Sequence, residues 1–146
     1  MLSKIKYILS IILLLNLSYS ADESMLLETT GVLSAQGLIL TQTALGTTMD
    51  AWYKGAYEDD EFEGYIQMYQ EAITIVRSQL YSLSQYGYLS DEDKVFVNQM
   101  VNIYDLINKE ANSILKYLYT RKDVDLNQYF EDREVALNKL RNLFSE

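Results

Sequence analysis

The sequence predicts an all-α protein: an antiparallel up-down four-helix bundle after a cleaved N-terminal signal peptide. Three observations carry this. The 146 residues contain no proline, and one interior proline costs a helix about 3 kcal/mol. Apolar residues recur at steps of three and four along the chain. Short polar stretches separate these segments, as antiparallel neighbours in a bundle require.

The first twenty residues, MLSKIKYILSIILLLNLSYS, have the pattern of a secretory signal. Lys4 and Lys6 precede an apolar run from Ile8 to Leu17, and Ser18 and Ser20 sit before an expected cut ahead of Ala21. The run is shorter than the ~20 apolar residues of a spanning helix. The expected address is periplasmic or secreted, with no membrane attachment after cleavage. The chain has no cysteine, so no disulfide and no lipidated thiol. Residues 21–146 are expected to form one domain whose core carries the stability alone. Cleavage removes two lysines and no acid, leaving ten basic and 21 acidic side chains and a net charge of −11. Such a charge repels nucleic acid and anionic lipid.

The first helix is expected over about 23–57. Leu26, Leu33, Leu40, Ala44 and Thr48 keep a helical spacing towards Trp52. Gly31, Gly37, Gly46 and Gly55 interrupt it, each interior glycine costing about 1 kcal/mol against alanine. These small residues suit close approach of another helix, and Gly31 to Gly37 is the place for a kink. The strand-like LILTQT offers a β-hairpin around 38–49 as the competing reading. The second helix, about 60–86, carries the stripe Phe62, Tyr65/Ile66, Tyr69, Ile73, Val76, Leu80 and Leu83, and Gly87 ends it. The third, about 91–121, opens on Ser90 as cap with Asp93 as its partner three residues on. Its wide stripe runs from Phe96/Val97 through Met100/Val101, Ile103/Tyr104, Ile107, Ala111 and Ile114/Leu115 to Leu118. The fourth, about 125–144, is expected to start on an Asp125–Gln128 capping box. Its stripe is Leu126, Tyr129/Phe130, Leu137, Leu140 and Phe144, with the Arg133 stem along the core edge and the guanidinium in water.

Composition removes whole classes of chemistry. Without histidine or cysteine, the Glu-x-x-His sites of di-iron bundles, Cys/His zinc sites and Ser-His or Cys-His nucleophiles are ruled out. No metal, no cofactor and no catalytic residue is expected. The acidic run EDDEFEGY, Glu58 to Tyr65, lacks the alternating ligands of a calcium loop. It suits a helix start, where carboxylates gain about 0.3–1 kcal/mol each from the dipole.

One arrangement goes further. An up-down bundle brings the helix 1–2 and helix 3–4 connections to one end, and ten of the mature chain's sixteen aromatics belong to that end. Trp52, Tyr57, Tyr65 and Tyr129, edged by Asp59, Asp60 and Glu61, are the candidate ligand-binding residues. Aromatic faces and carboxylates together suit an organic cation, although Arg121 and Lys122 lie at the same end. Three functional expectations follow. The first is a non-enzymatic exported bundle that binds another protein through residues 31–48, the most apolar and least charged stretch of the mature chain. The second is a small-cation binder at the aromatic end. The third is a carboxylate-only hydrolase.

Overall fold

The structure is a computed structural model that describes residues 23–85, 87 and 89–145, with side chains from Thr29 onward. The signal segment, its cut before Ala21 and the Leu26 side chain lie outside the described residues. Among those residues every regular element is a helix: α1 Glu23–Tyr53, α2 Asp59–Gln85, α3 Asp91–Thr120 and α4 Asp123–Leu143. No strand occurs among them, so LILTQT is helical, and Gly31 and Gly37 both lie inside α1. No described helix is long and apolar enough to cross a membrane.

The chain divides into two compact units, Met1–Val32 and Leu33–Glu146. In the first, residues 23–32 are helical. The second holds the core and all the contacts that follow.

Backbone chemistry sets the helix ends. The first helix stops at Tyr53, short of the expected 57, because Gly55 takes φ +78°. The Ala56 N–H then donates to Ala51 O at 3.0 Å and the Gly55 N–H to Trp52 O at 2.8 Å. That double closure satisfies carbonyls the helix leaves open, and glycine takes the left-handed conformation without a Cβ clash. The Ser90 cap forms as expected. Its Oγ accepts from the Asp93 N–H at 3.1 Å and donates to Asp93 Oδ2 at 2.6 Å. The fourth helix departs from expectation. Lys122 occupies its cap position without a side-chain cap bond, and Asp125 is drawn into the first turn by partners on α3.

Side-chain pairs show the helices alternating in direction. Glu63 meets Tyr119, Gln70 meets Asn112 and Arg77 meets Asp105 across α2 and α3. Asp125 meets Lys116 and Asp132 meets Lys109 across α3 and α4. Thr48 meets Tyr69, and Trp52 meets Phe62, across α1 and α2. Phe62, Ile66, Ile73 and Leu80 fill the core from α2, and Val97, Met100, Tyr104, Ile107, Ile114 and Leu118 from α3, as the stripes predict.

The α1 and α4 stripes need correction. Leu33 and Leu40 are 56% and 68% exposed, while Ala35, Leu38, Gln42, Leu45, Met49 and Trp52 face inward. On α4, Phe130 and Phe144 are half-exposed, and Asp125, Asp132 and Ala136 take inward positions. Arg133 turns in rather than out. A Cβ added at Gly46 would lie 2.7 Å from Arg133 Cζ, and one at Gly37 3.0 Å from the Tyr104 hydroxyl. The small residues of α1 do admit close neighbours, but the neighbours are large side chains.

Candidate functional site

The aromatic end is built by three elements: the last turn of α1, the first of α2 and the last of α3. Trp52 is buried and stacks on Phe62, with ring centroids 4.4 Å apart and planes 7° from parallel. Tyr117 meets the indole edge-on at 6.0 Å. The indole Nε1–H donates to Asp59 Oδ1 at 3.0 Å. Over the other side of the ring lies Arg121, its Cζ 4.5 Å from the centroid, and its Nη2 donates to Asp59 Oδ2. Arg121 holds this place from a left-handed backbone (φ 54°), the one non-glycine residue with positive φ among the described residues. That conformation costs roughly 1–2 kcal/mol outside glycine, which the ion pair and the cation–π contact offset. The Arg121 bond, then the indole bond, hold the Asp59 carboxyl below the usual carboxylate range.

The other predicted site residues separate from this cluster. Tyr57 and Tyr65 tilt against each other at 5.1 Å on the partly exposed side. The Tyr65 hydroxyl donates to Glu61 Oε1 at 3.2 Å, and this bond pushes the phenol pKa up. Asp60 is exposed and accepts from the Glu61 N–H at 2.9 Å, the local role of a helix-start carboxylate. Tyr129 lies elsewhere, 1% exposed, its hydroxyl accepting from Arg133 Nη1 at 2.6 Å. Thus Trp52 and Asp59 come together, Tyr57, Glu61 and Tyr65 form a second group, and Tyr129 joins a third. Arg121 fills the position over Trp52 that an organic cation would take.

No protein-family model, curated protein or solved structure matches this chain. Its function is therefore read from its own residues.

The third group is a polar layer in the middle of the bundle that the sequence reading missed. Glu110, on α3, is 0% exposed, and Gln42 Nε2 on α1 donates to its Oε2 at 2.6 Å. Around them stand Arg133 with the Tyr129 hydroxyl, and Asp132. Burial pushes the Tyr129 phenol up to about 12. Asp132 accepts from Ser113 at 2.6 Å and Gln128 at 3.1 Å and pairs with Lys109 at 2.9 Å. Burial alone would raise its pKa, but those three partners bring it below the usual range. The sequence did carry a signal. Glu110 falls three residues after Ile107 and four before Ile114, on the α3 apolar stripe itself.

Asp125 is handled the same way. Lys116 lies 2.6 Å from Oδ1 and Thr120 donates to Oδ2 at 2.6 Å, and these bonds lower its pKa. Among the described residues, no group of three or more acidic side chains is placed to hold a metal ion. Two surface grooves lie away from the aromatic end. One runs between α3 and α4 beside Asn102, Leu106 and Lys139, the other between α2 and α3 beside Gln70, Thr74 and Asn108.

Proposed function

We propose that the chain is an exported, non-enzymatic helical bundle that works by binding another protein through the outer face of α1, within residues 31–48. The observation that carries this is a charge-free apolar surface on an acidic chain. From Thr29 to Met49 there is no charged side chain, against a net charge of −9 for the whole sequence. Leu33, Ile39 and Leu40 are nonetheless exposed. At about 100° per residue they share one arc with Gln36, Thr43 and Thr47. Exposed apolar strips of this kind mark interaction sites. The signal-like leader supports export. The engagement of the inward-facing Asp125 and Asp132 in cross-helix ion pairs supports a structural rather than catalytic use of the carboxylates.

The test is site-specific photo-crosslinking in the producing cell. A photoreactive residue at 36, 40 or 43 should give a discrete crosslinked product, and one at the exposed α2 positions 71 or 79 should not. Leu33→Lys with Leu40→Lys should remove the product without unfolding the bundle. Equal crosslinking from both helices would refute the assignment of α1 as the binding face.

A further inference from the structure

Three buried side-chain oxygens among the described residues receive no hydrogen bond: Gln42 Oε1, Glu110 Oε1 and Asn108 Oδ1. Two of them belong to a single pair. Gln42 and Glu110 already share one bond, Nε2 to Oε2 at 2.6 Å, and the remaining oxygen on each is a bare acceptor. With Glu110 ionised, the pair has two acceptors left over and nothing to place between them. Buried acceptors left this way are costly, most of all on a charged group. One proton removes both deficits. A neutral carboxyl donates from Oε1 to the Gln42 carbonyl oxygen while Gln42 Nε2 still donates to Oε2, closing a ring of two hydrogen bonds.

We propose that Glu110 and Gln42 form a buried proton-binding site in which one proton completes the tie between α1 and α3, and that loss of this proton loosens α1.

The surroundings fit a neutral group. From α4, Arg133 attracts the ionised form and Asp132 opposes it. Arg133 is committed to the Tyr129 hydroxyl and makes no ion pair with Glu110, and Asp132 is held by Ser113, Gln128 and Lys109. From α3 itself come Tyr104, buried, and Lys109, spent on Asp132. On α1 no charge lies within seven residues of Gln42, and the nearest is the exposed Asp50. From α2, Tyr69 is bonded to Thr48, Glu71 is exposed and Arg77 is paired with Asp105. The charge of Arg133 still favours an ionised Glu110, but without a direct ion pair it does not outweigh burial. Burial accordingly moves its carboxyl up from 4.5 to about 7, with the Gln42 bond and Arg133 pulling the other way.

The direction of the pH effect follows. A folded-state pKa above the unfolded value means that the stability the proton adds is full below about pH 4.5. It falls as pH rises and is gone once pH has passed through about 7. Across that interval the equilibrium for opening α1 should rise about a hundredfold or more.

Two measurements on the intact chain test this. The first is carbon-13 NMR of the labelled Glu110 carboxyl. The second is hydrogen exchange of the α1 amides from Leu38 to Met49, corrected for the intrinsic rate, between pH 4.5 and 8. The expected result is a Glu110 midpoint about two units above that of an ordinary glutamate, with α1 opening rising over the same range. In Glu110→Gln the amide closes the same ring without a proton, so α1 opening should lose its rise. A Glu110 midpoint at the ordinary value, or an unchanged pH dependence in Glu110→Gln, overturns the proposal. If Glu110→Gln does not fold, the native-chain titration decides alone.

Discussion

Replacing Gly46 with alanine isolates the contact that holds α4 against α1. In an open helical position the change stabilises by about 1 kcal/mol, because alanine loses less backbone entropy on folding. At Gly46 the new Cβ would lie 2.7 Å from Arg133 Cζ and 3.1 Å from Nη1. The guanidinium must move, and with it goes the 2.6 Å bond to the Tyr129 hydroxyl. A hydrogen bond made by a charged group contributes about 1.5–3 kcal/mol. The expected net effect of Gly46→Ala is therefore a loss of about 0.5–2 kcal/mol. Gly64 supplies the control. It lies in α2 with nothing within 4 Å of an added Cβ, so Gly64→Ala should gain about 1 kcal/mol. Urea titrations followed by far-UV circular dichroism would measure both. In an Arg133→Gln background the sign at Gly46 should reverse, since the shorter side chain vacates the space. If Gly46→Ala stabilises as much as Gly64→Ala, Arg133 is not packed against α1 and the described contact is wrong.

Further outcomes are expected elsewhere in the bundle. Ile107→Ala and Leu80→Ala, at fully or nearly fully buried positions, should each cost about 2–5 kcal/mol in urea midpoint measurements. Arg121→Gly relieves the left-handed backbone but strips Asp59 and Trp52 of their cation. Stability should change by no more than about 1 kcal/mol, while the emission of Trp52, the sole tryptophan, shifts clearly. Asp59, Asp125 and Asp132 all sit below the ordinary carboxylate value of 3.8. They therefore contribute stability that is present above about pH 3.8 and lost as pH falls through their folded values. Asp125→Asn with Asp132→Asn should flatten the acid limb of a stability profile.

How far each helix was legible depended on what its neighbours do. The stripes of α2 and α3 could be read because nearly every inward position is apolar, and Ser90 with Asp93 is a local signal that needs no tertiary partner. On α1 the seven-residue spacing of Leu26, Leu33 and Leu40 pointed to a false face. A straight helix drifts ~20° per heptad, so Thr48 at the end of the stripe does face inward, while the rest of the true inward face includes Gln42, whose partner comes from α3. On α4 two aspartates displace phenylalanines from the inward side because Lys116 and Lys109 of α3 reach them, a pairing that the periodicity of one helix does not reveal. At the aromatic end the adjacency of Trp52 and Asp59 was readable from the connection between them. Arg121 as the residue covering Trp52 was only half readable. Its place in the sequence is plain, but a left-handed helix end normally signals itself with glycine.

The diagonal bond between Gln42 and Glu110 also bears on the order in which the bundle is assembled. It spans 68 residues, whereas the ties of α3 to α4 close loops of a few to about twenty residues. Short loops close at lower entropic cost and sooner. The α3–α4 hairpin and the α1–α2 hairpin, the latter tied across 7 to 21 residues, should therefore form early, and the tie of α1 to α3 should close late. Gln42 has no partner on α3 until Glu110 has been synthesised. The last step of folding would then also be the one that strips water from the Glu110 carboxyl, so refolding rates should carry a pH dependence of their own.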